Sequence, residues 1–222
     1  MRAKLTVIIP TLNAEATLPA CLAALFEGVE AGLIRELLIS DGESGDATAQ
    51  IADEVGAELV TGSPSRGGQL RRGAAVARGE WLLILHADTR LSDGWSAAVA
   101  AAMAAGRPGY FKLRFDAPGL APRLVAGWAN LRARLFGLPY GDQGLLISRR
   151  AYEAAGGYPD IPLMEDVALV RKLPRLTRIE AEALTEAEKY LRDGWLRRGA
   201  GNLWRLTRYL LGADPNRLAR KY

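Results

Sequence analysis

The stretch Trp81-Leu82-Leu83-Ile84-Leu85-His86-Ala87-Asp88 places one acidic residue shortly after five consecutive apolar residues. A short apolar run with polar ends is typical of a strand buried on both faces of a parallel sheet. In open α/β sheets, ligands bind beyond the carboxyl ends of such strands, and a carboxylate there can hold a divalent cation. Taken alone, an aspartate at a strand end is more often a turn or a helix cap, so the rest of the chain must decide.

Similar apolar runs occur three times upstream, and each ends in a polar segment. The runs cover residues 5–9, 37–39 and 57–60, and helical patterns follow at residues 18–26, 47–55 and 70–77. This alternation over the first 90 residues predicts right-handed βαβ units in a parallel sheet. The polar loops should then gather along one edge of the sheet, where a nucleotide would lie.

Five ordered motifs resemble those of the family 2 glycosyltransferases. They are residues 7–15, 40–44, 77–80, 85–88 and 164–166, and the similarity covers residues 3–173. The resemblance implies an α/β GT-A fold, a Rossmann-like, mostly parallel sheet flanked by helices. Within the family, the chain is similar to a bacterial subgroup described as radical-SAM/selenodomain-associated glycosyltransferases, which it matches at residues 66–69, 86–90, 141–144 and 162–167.

The resemblance implies a nucleotide site at the first two polar loops. Pro10, Thr11 and Glu15 match the first nucleotide-contacting loop, and Asp41 matches the acid that hydrogen-bonds the nucleobase. Family members usually have two adjacent acids at the second position. Because Ser40 stands in place of the first acid, the prediction that the base is uracil is weakened.

The resemblance also implies a cation site and a catalytic base. Asp88 matches the last acid of the family's Asp-x-Asp motif, which holds Mn²⁺ or Mg²⁺, and His86 replaces the first acid. This single histidine is compatible with contact to the donor, with ligation of a softer ion such as Mn²⁺, and with a structural role. Asp166 matches the general base that takes the proton of the acceptor hydroxyl. As an alternative, Glu165 and Asp166 would stabilise the first turn of a helix through its dipole.

Two further motifs are candidates for substrate contact. Arg66 precedes Gly67 and Gly68 in a predicted loop, where a guanidinium and exposed amides could bind phosphate, and a surface turn is the alternative. Asp142 and Gln143 form a polar pair that, with Glu165, is predicted to contact the sugar or the acceptor. A simple turn between strands remains the alternative for that pair.

The composition is that of a soluble domain of the cytoplasm. A chain of 222 residues, 49% hydrophobic and 24% charged, is long enough for one full core. Its single cysteine, Cys21, excludes an internal disulfide framework and favours a reducing compartment. The longest apolar stretch, residues 97–105, is about half of the ~20 residues that a membrane-spanning helix needs.

The charge is uneven along the chain. Residues 189–222 carry nine lysines or arginines and two aspartates, a net charge of +7, whereas residues 1–188 carry −3. We predict a GT-A domain at residues 1–188 and a basic, amphipathic helical extension at residues 189–222 on or near it. The extension is compatible with peripheral contact to the inner face of an anionic membrane, with arginines for the donor diphosphate, and with simple packing on the core. Nucleic acid is not the expected partner, because the positive charge is confined to one end and no nucleic-acid-binding fold is recognisable.

These features predict an inverting glycosyltransferase that moves a hexosyl or related sugar from a nucleoside-diphosphate sugar to an unknown acceptor, with Mn²⁺ or Mg²⁺. Two alternatives stay open. A nucleotidyltransferase would have a glycine-rich basic loop after the first strand, and residues 10–15 contain neither glycine nor a basic residue. A non-catalytic nucleotide-sugar-binding protein is compatible with Ser40 and His86 in place of acids.

Overall fold

The computed structural model describes residues 3–219, which form one sheet with helices around it. The strands are β1 (Leu5–Thr11), β2 (Ile34–Asp41), β3 (Glu58–Thr61), β4 (Trp81–Ile84), β5 (Thr89–Leu91), β6 (Gly109–Phe115), β7 (Leu145–Ser148) and β8 (Thr177–Thr185). The helices are α1 (Leu18–Glu30), α2 (Thr48–Glu54), α3 (Arg66–Val76), α4 (Trp95–Ala104), α5 (Leu120–Phe136), α6 (Arg149–Ala154), α7 (Glu165–Val170), α8 (Glu188–Asp193), α9 (Trp195–Leu210) and α10 (Pro215–Ala219), and a 3₁₀ turn spans Gly141–Gln143.

The eight strands are ordered β3-β2-β1-β4-β7-β6-β8-β5. The first four are mutually parallel, as the alternation of strands and helices predicts. β7 joins the sheet antiparallel to β4 and β6, and β8 runs parallel to β6. The α/β fold with a mostly parallel sheet is confirmed.

β1 and β4 are buried on both faces, which explains their continuous apolar runs, whereas β3 at the edge of the sheet is mostly exposed. Val7 and Ile9 pack in a core cluster with α1 and α4, whereas Ile8 packs in a second cluster with α3. Successive side chains of a strand point to opposite faces, so β1 supplies both clusters. Its carboxyl end, like those of β2 and β4, lies at the edge of the sheet where the polar loops emerge.

Three details of the secondary structure are not evident from the sequence alone. β1 continues through Pro10 to Thr11, because β4 ends its pairing at Ile8 and the missing N–H of proline costs no ladder bond there. Arg66 begins α3 instead of lying in a loop. The glycines at 199 and 201 lie inside the 16-residue α9, although glycine disfavours helices.

The C-terminal residues pack on the sheet domain. Leu206 of α9 and Leu218 of α10 are buried in one cluster with Leu163, Met164 and Val167 around the start of α7. No helix within residues 3–219 is long and apolar enough to cross a membrane.

Candidate active site

Two adjoining cavities open beyond the carboxyl ends of β1 and β4. The larger has a volume of about 560 Å³ and the smaller about 130 Å³. The side chains that line both are Arg66, His86, Asp88, Leu163, Glu186 and Lys189. The cavities therefore meet at Asp88, the acid that follows the decisive apolar stretch.

The larger cavity is lined by the first polar loop. Pro10 and Thr11 border it, together with Arg66 and Gln69 of α3. Thr11 Oγ donates a hydrogen bond of 2.7 Å to Asp41 Oδ1. The loop's backbone is fixed further by Gln69, whose side-chain amide donates to the Thr11 carbonyl at 2.6 Å.

Neither Asp41 nor Glu15 lines either of the two cavities. Asp41 is only 2% exposed, and it also accepts hydrogen bonds from the backbone and hydroxyl of Ser44 at 2.7 and 2.6 Å. Glu15 is exposed and accepts the backbone N–H of Ala47 at 3.0 Å. Both acids hold the second polar loop against the first, and nucleobase contact by Asp41 stays a prediction.

The glycines after Arg66 serve close packing at the first turn of α3. A Cβ at Gly67 would lie 2.1 Å from the carbonyl oxygen of Pro159, and one at Gly68 would lie 2.8 Å from Asp160 Oδ1. The Ser65 hydroxyl caps this helix by accepting the N–H of Gly68 at 3.3 Å. The Arg66 side chain reaches the junction of the cavities, with its Nε 3.7 Å from Glu165 Oε1.

Asp88 and His86 follow β4 and lie at the junction itself. Asp88 is 27% exposed, and Lys189 of the C-terminal extension places its Nζ 3.9 Å from Asp88 Oδ2. Burial, with the nearby charge of Arg66, lowers the pKa of His86 to about 4, so its imidazole is neutral at pH 7. The imidazole packs so closely on Gly141 that a Cβ there would lie 2.3 Å from His86 Nε2.

Asp166 lines the smaller cavity, and two backbone groups hold its carboxylate. Gly141 donates its N–H to Oδ2 at 2.7 Å, and Val167 donates to Oδ1 at 2.7 Å. Met164, which precedes α7, has a left-handed φ of 66°. A left-handed backbone is unfavourable for methionine, and such conformations occur preferentially at functional sites.

Two other acids of the smaller cavity have raised pKa values. Burial raises the pKa of Asp142 to about 6 against the opposing charge of Arg132, and its buried Oδ1 has no hydrogen-bond partner. Burial and the neighbouring charge of Asp166 raise the pKa of Glu165. Raised carboxyl pKa values around one cavity are characteristic of functional sites.

Gln143 does not reach either cavity. Its side chain is fully buried and donates to the Phe111 carbonyl and to Asn130 Oδ1, both at 3.3 Å. It fixes the 3₁₀ turn that carries Asp142, and a role in substrate contact stays a prediction.

Several residues that line the smaller cavity were not predicted from the sequence. They include Tyr140, Thr185, Glu186, Tyr190, Asn202 and Arg205. The buried hydroxyl of Tyr140 has no hydrogen-bond partner. Only the basic character of the extension hinted that residues after 188 approach the site, because their positions depend on tertiary packing.

The acids around the junction fit a divalent cation that is shared with a substrate. Within residues 3–219, no three His, Cys, Asp or Glu side chains form a complete metal site. Asp88 presents one partly exposed carboxylate, and its negative charge contributes to raising the pKa values of Asp142 and Glu186. Mg²⁺ characteristically binds one or two carboxylates together with substrate phosphates and water, so this donor set suits such an ion.

Comparison with solved structures places the fold among known glycosyltransferases. Glucosyl-3-phosphoglycerate synthase from Mycobacterium tuberculosis, solved with Mn²⁺, UDP and phosphoglyceric acid, is 22% identical with a TM-score of 0.56, over 79% of this chain and 68% of that one. Residues 1–349 of TarS from S. aureus are 16% identical with a TM-score of 0.60, over 95% and 66%. At these identities the similarity concerns the fold, which confirms the GT-A architecture.

Curated relatives are similar to part of the chain, and a family model identifies its family. The PGL/p-HBAD biosynthesis glycosyltransferases of Mycobacterium tuberculosis and Mycobacterium bovis are 36% identical over 104 residues, which is 44% of this chain. The matched region spans only 40% of the length of these relatives. The model of glycosyl transferase family 2 matches residues 6–126, more than half of the chain. The chain therefore belongs to glycosyl transferase family 2.

Proposed function

We propose that the protein is an inverting glycosyltransferase that uses a nucleoside-diphosphate sugar and a divalent cation. The observation that carries the proposal is the meeting of the two cavities at Asp88. The larger cavity would bind the nucleotide, the smaller would bind the sugar and the acceptor hydroxyl, and the diphosphate would lie at the junction.

The donor nucleotide is proposed to be UDP or GDP, and UDP is the first to test. Two structural neighbours were solved with UDP and with UDP-GlcNAc, although their low identity carries only the fold to this chain. Pro10 and Thr11 would contact the nucleoside. Arg66 and Lys189 line both cavities, and their positive charges would meet the diphosphate.

Asp88 is the residue that would hold the divalent cation, Mn²⁺ or Mg²⁺. When bound, the cation supplies positive charge that stabilises the departing nucleoside diphosphate. Asp88, in the loop after β4, would fix the position of this positive charge. The neutral imidazole of His86 packs on Gly141 and so joins the loop after β4 to the 3₁₀ turn at residues 141–143.

Asp166 is the proposed general base. The acceptor oxygen forms a bond to the anomeric carbon while the bond from that carbon to the diphosphate oxygen breaks. The hydroxyl proton passes to an Asp166 carboxylate oxygen, each of which keeps acceptor capacity beside its backbone hydrogen bond. A single displacement of this kind inverts the anomeric configuration, and a positioned base contributes about 10²–10⁴-fold to the rate.

The narrower features of the hypothesis stay predictions. Membership of the radical-SAM/selenodomain-associated subgroup rests on residues 66–69, 86–90, 141–144 and 162–167. Transfer of a hexosyl group, and contact of the basic extension with a membrane, rest on the resemblance and on charge.

Thermal unfolding with a panel of nucleoside diphosphates and nucleotide sugars tests the donor site. A ligand that binds only the folded state stabilises it by about 2.7 kcal/mol at a hundredfold excess over Kd. We expect a rise in melting temperature with one nucleoside diphosphate that requires Mn²⁺ or Mg²⁺ and is lost in Asp88→Asn. The exposed Asp93, in the loop between β5 and α4, supplies the control Asp93→Asn, which should respond like the wild type.

Asp166→Asn separates binding from catalysis in the same assay. The variant should keep the cation-dependent shift but lose about 10²–10⁴-fold in donor turnover, including slow transfer to water. Absence of any shift with the whole panel would contradict the donor site. A shift in the wild type without any turnover that depends on Asp166 would favour a non-catalytic binding protein.

A further inference from the structure

Exposed large apolar side chains are concentrated in one part of the molecule. Within residues 3–219, 18 such side chains are exposed, and 12 of them lie between Leu120 and Phe136 or between Leu191 and Leu211. Soluble monomers rarely expose a large contiguous apolar patch, and such a patch marks a site of interaction with a protein or a membrane.

The exposed apolar residues of α5 form a stripe along the helix. They are Leu120, Leu124, Trp128, Leu131 and Leu135, at spacings of three and four residues. Such spacings place side chains on one helical face. The opposite face carries Ala126, Ala129 and Ala133, which are buried against the domain. The helix is therefore apolar on the outside as well as the inside.

α9 carries a second exposed stripe and a face toward the active site. The exposed apolar residues are Leu196, Leu203, Trp204 and Leu210, and Leu211 follows the helix directly. Leu206, three residues after Leu203, borders this stripe and is buried in the core, and on the other side Asn202 and Arg205 line the smaller cavity. One helix thus connects the solvent-exposed apolar surface with the proposed acceptor cavity.

The two stripes are neighbours. α5 and α9 pack against each other, and a Cβ built at Gly199 would lie 3.7 Å from Val125 Cγ2. We call the combined surface the apolar face: Leu120, Leu124, Trp128, Leu131 and Leu135 of α5 with Leu196, Leu203, Trp204, Leu210 and Leu211 of α9 and its end. Its two tryptophans are of the kind that concentrates at membrane–water interfaces.

Exposed arginines flank the apolar face on both helices. Arg123 and Arg134 lie on α5 beside its stripe, and Arg197 and Arg208 lie on α9 beside the other. Apolar helical faces bordered by arginine are typical of helices that lie in the interface of an anionic membrane. A second copy of the chain is a poorer occupant, because a two-fold interface would bring the same basic borders together.

We propose that the apolar face docks on an anionic lipid surface and that the acceptor is a membrane-resident amphiphile. The second part rests on the proposed glycosyl transfer. Docking through α9 would place the smaller cavity, which that helix borders through Asn202 and Arg205, within about one helix diameter (~10 Å) of the lipid headgroups. A hydroxyl-bearing headgroup could then reach Asp166 while its hydrocarbon part stays in the membrane.

Co-sedimentation with lipid vesicles, without any nucleotide, tests the docking. We expect binding to vesicles of phosphatidylglycerol and phosphatidylcholine that weakens in high salt, and weaker binding to pure phosphatidylcholine. Leu124→Glu/Trp204→Glu should bind about tenfold more weakly or worse, because each change removes an apolar anchor and adds negative charge. Phe26→Glu/Val55→Glu adds the same charge at exposed apolar residues elsewhere and should bind like the wild type.

The outcomes separate docking from glycosyl transfer. Absence of wild-type binding, or equal binding by Leu124→Glu/Trp204→Glu, would overturn the proposal that the apolar face docks on lipid. A wild-type dimer that this variant dissociates would also overturn it and assign the face to a second copy. If the glutamates unfold the protein, Leu124→Gln/Trp204→Gln replaces them in the same comparison. The thermal shift with nucleotide, measured on the same variants, should be unchanged. Loss of lipid binding therefore does not contradict the donor site, and loss of the thermal shift does not contradict lipid docking.

Discussion

Among single residues, Asp142 has an environment that should make stability depend on pH. Its carboxyl oxygen Oδ1 is buried without a partner, and burial raises its pKa from 3.8 to about 6. The folded protein then holds this proton more tightly than the unfolded chain does. The resulting stabilisation is present below pH 4 and is lost as the pH rises to about 6.

We therefore expect Asp142→Asn, which is neutral at every pH, to remove this dependence. Relative to the wild type, the free energy of unfolding of the variant should rise between pH 4 and pH 6.5, by up to about 3 kcal/mol at ~1.4 kcal/mol per pKa unit. Urea denaturation at a series of pH values measures the difference. The exposed Asp93→Asn serves as the control for replacing a carboxylate by an amide. A difference for Asp142→Asn that stays constant with pH would contradict the assignment.

For the predicted site residues, the sequence could not tell which side chains face the site. Asp88, Asp142, Glu165 and Asp166 line the smaller cavity, and their roles stay predictions. Gln143 belongs to the same motif as Asp142 and points into the core. One step along a tight turn reverses the direction of a side chain, and nothing in the local pattern records which of the two faces inward.

Among the elements, α3 depends on a close approach at its first turn. A Cβ at residue 67 would lie 2.1 Å from the Pro159 carbonyl and 2.9 Å from that of Ile161, and backbone atoms cannot easily move away. Gly67→Ala should therefore lower the free energy of unfolding by about 1–3 kcal/mol. Gly127→Ala in α5 meets no atom within 4 Å and should stabilise by about 0.5–1 kcal/mol, because alanine favours helices. Equal effects in chemical denaturation would refute the packing argument.

α7 depends on the C-terminal helices for its position. Leu206 of α9 is 4% exposed and packs with Met164 and Val167, the residues that flank Glu165 and Asp166. Leu206→Ala should cost about 2–5 kcal/mol of stability, and donor turnover should fall as Asp166 loses its support. Leu203→Ala, on the same helix but 42% exposed, should cost under ~1 kcal/mol in the same denaturation experiment. Similar losses for both variants would show that α9 does not support α7.

Element types followed from the sequence because the apolar runs and helical periods are strong. The start of α3 was missed because Gly67 and Gly68 are poor helix formers, and only their contact with the segment at residues 159–161 explains their place. The close packing of this turn outweighs the low helix propensity of glycine.

For the whole molecule, residue 188 separates two parts of the chain that differ in sequence pattern and net charge. In the structure, the described residues after 188 pack on the sheet domain. Phe115 of the sheet lies 5.0 Å from Trp195 and 4.8 Å from Tyr190, measured between ring centroids, and Leu206 and Leu218 are buried beside Leu163. We expect the core and the extension to unfold as one cooperative unit. In native-state hydrogen exchange, the slowest amides of α9 should then open with the same free energy as those of β1. Opening of α9 at a much lower free energy would mark residues 189–222 as a separate unit.

The central claim is that Asp88 and a nucleoside diphosphate together hold a divalent cation where the two cavities meet. Electron paramagnetic resonance of Mn²⁺ tests this directly, because free Mn²⁺ and bound Mn²⁺ give distinct signals. Asp88 offers one carboxylate, and residues 3–219 contain no complete three-ligand site. We therefore expect weak binding of Mn²⁺ alone, much tighter binding with UDP or GDP, and loss of that gain in Asp88→Asn but not in Asp93→Asn. Mn²⁺ binding that neither nucleotide strengthens, or a gain that survives Asp88→Asn, would contradict it.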